Sequence, residues 1–305
     1  MKRMWMFVVA MLGLVSSAIG TGFVITEEND VFLKKDNNYT QGLEMYVTDT
    51  SSNKEGKLIK ENWGLRSRMY TPDDITASTN QPGDRPWCGV TTVFYEWTEK
   101  RGDEYVMTGW EVGTMGPESG VEWQQKTIHK MIGSHTPMGW SNQVPNEISI
   151  QFYMTHYRQL ERLGTSGKWM ADLDMPYGFV GGTTFDNVSG GLSARAGYNI
   201  PPAHYGGDIE PKAILPKPFF YFLADGSGKC VLHNATLGHS FFRSHDDTEW
   251  DRDLIPLVGE FHYGVCVGYK NFAVTYMNEY RKSEFVGQPD PFKCGMIRLE
   301  FTQLF

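Results

Sequence analysis

His129 is the residue with the plainest capacity for chemistry. It lies in the run Ser119-Gly-Val-Glu-Trp-Gln-Gln-Lys-Thr-Ile-His-Lys-Met-Ile-Gly133, the one clearly helical stretch in a chain that otherwise reads as strand. Histidine is the side chain best suited to take up and return a proton near neutral pH. Gln125 falls one helical turn before it. The segment carries its own start and stop: Ser119 with Glu122 three residues on fits a capping box, and Gly133 is a natural C-terminal stop. Val121, Ile128 and Ile132 recur at helical spacing. A short helix in a loop between strands is where a β-scaffold would mount a functional base. The plainer alternative is a surface histidine, with Gln125 only bracing the loop. No G-x-S-x-G run is present, so a serine-centred hydrolase is not indicated.

What such a base could act on depends on what the strands build. Period-2 alternation is cleanest near the C-terminus. Leu257, Phe261, Tyr263, Val265, Val267 and Tyr269 share one face, while Val258, Glu260, His262, Gly264, Cys266 and Gly268 share the other. After a tight connection at Lys270-Asn271, Phe272, Val274, Tyr276 and Tyr280 alternate with Ala273, Thr275, Glu279 and Arg281. One face is apolar and aromatic and the other polar or small, the pattern of a lipid-facing and a lumen-facing side. A soluble sandwich alternates in the same way. The last segment favours the barrel: Ile297, Leu299, Phe301 and Phe305 share a face, and the sequence closes on an aromatic, like the terminal signal of bacterial outer-membrane barrels. The expected fold is all-β, an antiparallel transmembrane β-barrel of about twelve strands with a short helix in an external loop. The strands fall near 22–30, 40–49, 62–70, 86–97, 104–114, 147–160, 168–179, 189–199, 216–232, 254–269, 271–282 and 294–305. External connections fall near 31–39, 71–85, 115–146, 180–188, 233–253 and 283–293.

Composition agrees with export. Residues 1–20 read as a secretory signal peptide: Lys2 and Arg3, an apolar run from Trp5 to Val15, then small residues for cleavage. Residues 21–305 form one barrel domain. Losing the two leader cations takes the formal net charge from −8 to −10, which argues against nucleic acid as a partner. Mean hydropathy is −0.39, ordinarily the mark of a soluble protein. A membrane barrel hides from hydropathy because only every second residue faces lipid. Cys88, Cys230, Cys266 and Cys294 form no C-x-x-C pair, so a zinc or thioredoxin-like reading is weak; packed or free thiols are favoured over any of three pairings.

Polar clusters gather at the ends of the early strands. Glu28-Asn29-Asp30 closes the first, and Tyr39-Thr40-Gln41-Gly42 opens the second. Met69-Tyr70-Thr71-Pro72 ends the third. Asp84-Arg85-Pro86-Trp87-Cys88-Gly89 opens the fourth, and Gly139-Trp-Ser-Asn-Gln143 lies with His129 between the fifth and sixth. Strand parity puts every one at the external rim. Together they closely resemble the outer-membrane lipid A 3′-O-deacylase family, over nearly the whole chain. The resemblance rests on the early N-D, Y-T-x-G, Y-T-P, D-R-P-aromatic-x-G and the Q-x-x-x-H-x-x-I-G…P-x-G-W-x-x-Q-x-x-N-E run ending at Glu147, and it extends to Pro256-Leu-Val-Gly259. Cys88 departs from it, standing where the family has a small residue such as Ala.

The resemblance implies a calcium-dependent esterase at the outer rim, integral to the bacterial outer membrane and monomeric. Its substrate would be lipid A of lipopolysaccharide, from which it would remove the 3′-linked acyloxyacyl group. Carried over by motif, the catalytic positions are Asn29, Asp30, Thr40, Gln125 and His129, with Asp30 also a metal ligand. The chemistry is coherent: a His base activating water and a hard cation holding the oxyanion need only a His, a carboxylate and oxygen ligands. Asn29 and Asp30 could instead shape a turn, and Thr40 could simply start a strand. Arg68 and Arg85 are candidates for contacts with lipid A phosphates, or else for ion pairs at the rim, where Asp84 is adjacent. His135 and His156 read as structural, and His245 is unassigned. The alternatives for the whole protein are an outer-membrane phospholipase and a non-enzymatic barrel, a pore or adhesin.

Overall fold

The computed structural model describes residues 22–30, 38–52, 58–101, 104–201, 203–204, 208–209, 215–238, 240–243 and 249–302. Residues 1–20, read from the sequence as a signal peptide, Phe305 and His245 lie outside the described residues. In chain order the strands are β1 (Gly22–Asn29), β2 (Asn38–Ser52), β3 (Leu58–Thr71), β4 (Cys88–Arg101), β5 (Glu104–Met115), β6 (Glu147–Gly164), β7 (Trp169–Gly182) and β8 (Phe185–Tyr198). After a short ribbon of β9 (Ala203–His204) and β10 (Asp208–Ile209) come β11 (Leu215–Asn234), β12 (Leu257–Lys270), β13 (Phe272–Arg281) and β14 (Phe292–Thr302). Helix α1 (Val121–Ile132) is the α-helix of the described residues.

All but β9 and β10 join one closed antiparallel barrel of twelve strands, each paired with the next barrel strand along the chain, so that β8 meets β11. β1 closes the ring on β14, in register from Gly22 opposite Thr302 to Asn29 opposite Gly295. Closure leaves no unpaired edge, which is what a sheet in hydrocarbon requires. The fold expectation is met. One connection differs: 180–188 was expected to be an external loop, but β7 and β8 run on to a two-residue turn at Thr183 and Thr184. Asp186 Oδ1 accepts the Gly182 N–H at 2.7 Å, and Ile150 O accepts that of Thr183, so the segment is held in strand pairing instead of looping out.

The alternation behaves as the sequence implies. Leu257, Phe261, Tyr263, Val265, Val267 and Tyr269 point outward and are exposed, while Val258, Glu260 and Cys266 are buried inside. Rings cluster on the outer surface at the end opposite the long loops. Trp63 lies 4.0 Å from Tyr95, and Phe272 lies 4.8 Å from Phe301. Such girdles mark a membrane interface. The lumen holds ion pairs in place of an open channel. Arg66 meets Glu44 (2.6 Å) and Glu111 (3.2 Å), Lys229 and Arg281 share Glu260, and His262 meets Asp225 at 2.6 Å. A cavity of about 520 Å³ remains in its loop-side half. Among the described residues all four cysteines are free; Cys88 is fully buried in an apolar cluster with Tyr39, Tyr70 and Phe292, a packing role.

Candidate active site on the outer wall

The candidate residues are sorted by which side of the wall they face. On β3, Asn62 points inward to Glu96 and Trp63 outward, so Ser67, Met69 and Thr71 are outward and Arg66, Arg68 and Tyr70 inward. The same parity puts Glu27 and Asn29 of β1 outward, with Glu28 inward against the Tyr39 hydroxyl at 2.5 Å. β2 carries an irregularity between Tyr39 and Gln41, with Thr40 as the extra residue. This bulge lets both Thr40 and Gln41 face out. Thr40 Oγ1 then meets Thr71 Oγ1 at 2.6 Å, and both are buried.

What buries these outward groups is α1, which lies against the outside of the barrel. Gly89, outward on β4, makes the approach possible: a Cβ there would come within 2.6 Å of Val121 Cβ. The start of the helix differs from the expected capping box. Pro117–Ser119 forms a 3-10 turn and Gly120, which has no side chain to cap with, is the N-cap in a left-handed conformation (φ 76°), while Ser119 Oγ accepts the Val121 N–H at 3.4 Å. Glu122 pairs with Lys126 instead. The stop at Gly133 is as expected, with φ 72° and its N–H donated to His129 O. The buried face is the one that carries Gln125 and His129. Val121, Gln125 and His129 point in, whereas Ile128 is half-buried and Ile132 exposed. Val121 packs with Met69, Ile75, Trp87 and Trp140, and this anchor turns the polar stripe rather than the isoleucines inward.

The stripe is set up for proton transfer and hydrogen-bond donation. The backbone carbonyl of His135 is 2.6 Å from His129 Nδ1. A carbonyl only accepts, so Nδ1 carries the proton and Nε2 is the basic nitrogen of the neutral ring. Gln125 accepts from Trp140 Nε1 at 2.7 Å through Oε1. That fixes the amide, and its Nε2 is buried without a hydrogen-bond partner among the described residues. A buried unmatched donor is costly in a finished structure and is what an oxyanion needs.

A hydrogen-bonded chain ties this helix to the end of β1. Glu27 Oε1 accepts from Asn29 Nδ2 (3.5 Å) and from Gln41 Nε2 (2.6 Å). Gln41 Oε1 accepts from Gln124 Nε2 at 3.2 Å, and Gln124 Oε1 from Ser67 Oγ at 3.1 Å. The members flank the sequence candidates: Asn29 precedes buried Asp30, Gln41 follows Thr40, and Gln124 precedes Gln125. Glu27, Gln41, Ser67 and Gln124 were missed by sequence reasoning. One signal was present, since Glu27 is a carboxylate at an outward position of a strand whose preceding outward residues are Phe23 and Ile25.

Arg68 and Arg85 do not reach this wall. Arg68 faces the lumen, 3.2 Å from Glu111 and over the Phe185 ring. Arg85 is buried, 2.6 Å from Glu284, donating to Thr236 Oγ1 and stacked over Tyr70. As placed they serve ion pairs rather than a phosphate, and the partner of Arg85 is Glu284, not the adjacent Asp84. Burial would raise the Glu284 carboxyl, but the Arg85 and Arg281 guanidiniums outweigh it and hold it below the usual carboxylate range. His156 stacks on Tyr177 at 4.9 Å, a structural role.

Among the described residues no three His, Cys, Asp or Glu side chains converge as a metal cage. A cation here would draw on the Asp30 carboxylate with amide, hydroxyl and backbone oxygens, a donor set suited to a hard ion such as calcium and poorly suited to zinc.

Comparison with known proteins agrees with this architecture. A family model described as Outer membrane protein LpxR matches residues 5–303. LpxR from Salmonella typhimurium superimposes with a TM-score of 0.77 at 18% sequence identity, covering 92% of this chain and 100% of that one. The β-domain of the Bordetella autotransporter Brka gives a TM-score of 0.48 at 11% identity, covering 93% and 99%. No curated protein matches the chain.

Proposed function

The chain belongs to the Outer membrane protein LpxR family, an integral β-barrel of the bacterial outer membrane, and we propose that it is a hydrolase removing the 3′-linked acyloxyacyl group of lipid A. The observation that carries this reading is the pair on the inward stripe of α1: a histidine whose Nδ1 is spoken for by a carbonyl, and one turn earlier an amide N–H with nothing to bond. Both sit on the outside of the barrel wall, where a lipid of the outer leaflet arrives without leaving the bilayer.

In the proposed reaction, His129 Nε2 takes a proton from water as the water oxygen adds to the ester carbonyl. Gln125 Nε2–H donates to the carbonyl oxygen as it gains charge. The imidazolium then returns its proton to the departing sugar oxygen, leaving a 3′-hydroxyl and a free acyloxyacyl acid. Asn29 and Thr40 orient the groups around Asp30, and a calcium ion held at Asp30 would supply further stabilisation of the oxyanion. All these residues come from one copy, so a monomer suffices.

Mass spectrometry of lipid A from cells with and without the protein tests the reading. Loss of the acyloxyacyl mass is the expected result. Changed phospholipids with intact lipid A would point to a phospholipase, and altered permeability with no lipid change to a pore. Purified protein assayed in chelator and then in added calcium should be inactive and then active.

A further inference from the structure

Helix α1 has two flanks besides its inward stripe, and its hydrogen bonds orient them. Gln124 reaches Gln41 and Ser67. These lie three and four residues from the strand ends at Asn38 and Thr71, so roughly 10 Å down the wall towards the middle of the barrel. The Gln124 side of the helix therefore faces down the wall. Ile128 is one turn beyond Gln124 and Met131 two turns beyond, on the same side. Met131 is 80% exposed and Ile132 beside it 67%. Further down β2, β3 and β4 the outward positions are apolar, Leu43, Leu65 and Val93. Lys126, paired with Glu122 at 2.6 Å, and Lys130, the cation left over on that flank, project from the opposite side. An apolar flank pointing down and a basic flank pointing up, on a helix laid against a lipid-facing wall, form an interfacial arrangement.

We propose that α1 is seated in the outer leaflet, with Ile128 and Met131 against acyl chains and Lys126 and Lys130 among the anionic headgroups. The lipid surface then sets the height of the stripe that carries Gln125 and His129. A single face thus binds the bilayer and presents the base to an ester near the headgroup boundary. The inference deepens the deacylase reading, but its primary test does not use activity.

The test places a nitroxide at Met131→Cys and, separately, at Lys126→Cys. Both are made in full-length protein carrying Cys230→Ser, because Cys230 is the exposed native thiol. The proteins are reconstituted in phosphatidylethanolamine–phosphatidylglycerol vesicles, and collision with oxygen is compared with collision with a water-soluble nickel chelate. The label at 131 should favour oxygen and the label at 126 the chelate. Equal access of the chelate to both would overturn the proposal and leave the deacylase reading standing. A second variant, Met131→Glu, should raise KM about tenfold for lipid A in vesicles while leaving turnover of detergent-dispersed lipid A unchanged. An equal loss on both substrates would overturn the seating.

Discussion

The lumen and the outer wall of this barrel are both polar, and they use polarity in opposite ways. Inside, charge is matched to charge: Glu111 alone accepts from Arg66, Arg68 and Thr92. Outside, beneath α1, the working groups are mostly neutral, and two of them keep bonding capacity in reserve, His129 Nε2 and Gln125 Nε2. Matched charge in a low-dielectric interior holds the cylinder in one register. The wall site gives up some stability for unspent hydrogen bonds, and that is where chemistry is possible. The cavity of about 520 Å³ lies on the lumen side, across the sheet from the wall site.

The comparison can be broken by changing each side in turn. Glu111→Ala leaves Arg68 without its carboxylate and Arg66 with Glu44 alone. Removing one partner of a buried pair costs about 3–5 kcal/mol. Urea unfolding of the reconstituted protein should register the loss, while turnover per folded molecule stays the same. Gln125→Ala should do the reverse, lowering kcat by about 10²–10³-fold, as loss of an oxyanion donor does, with the unfolding midpoint hardly moved. A loss of activity with Glu111→Ala equal to that with Gln125→Ala would merge the two regions and defeat the distinction.

The smallest effect concerns the rim pair between them. Glu284 is held below its ordinary value of about 4.3 by Arg85 and Arg281. Its contribution, about 2 kcal/mol for a hydrogen bond between charged groups, is therefore fully present above that value. It is lost as pH falls through the lower folded value. The difference in Tm between the native protein and Glu284→Gln should be constant above about pH 5 and shrink as pH falls below about 4. A difference that grew on acidification would contradict the assignment.

Most of the fold was legible because period-2 alternation is a direct imprint of a two-sided wall. The Leu257–Tyr269 faces fell on the sides expected, and so did the placement of the helix in a long loop. The interior of the site was less legible. Ser119 and Glu122 look like a capping box, but Pro117 begins a 3-10 turn and Gly120 takes the cap, a choice made by the chain before the helix. The Ile128–Ile132 stripe reads as a packing face in a soluble protein, but beside a membrane it can remain outside. Strict alternation sends Thr40 and Gln41 to opposite sides, and only the bulge puts them together. Glu27, Gln41 and Gln124 are ordinary polar residues until the helix folds onto the wall.

The account turns on His129 as the base on the outer wall. Purified His129→Ala protein, shown by its circular dichroism and resistance to urea to be folded, is compared with the native protein on lipid A in H₂¹⁸O with calcium. Mass spectrometry follows both products. The native protein should release an acyloxyacyl acid carrying one ¹⁸O and leave an unlabelled 3′-hydroxyl, while the variant should be slower by about 10²–10⁴-fold, the usual worth of a general base. Release by the variant at the native rate would contradict the central claim.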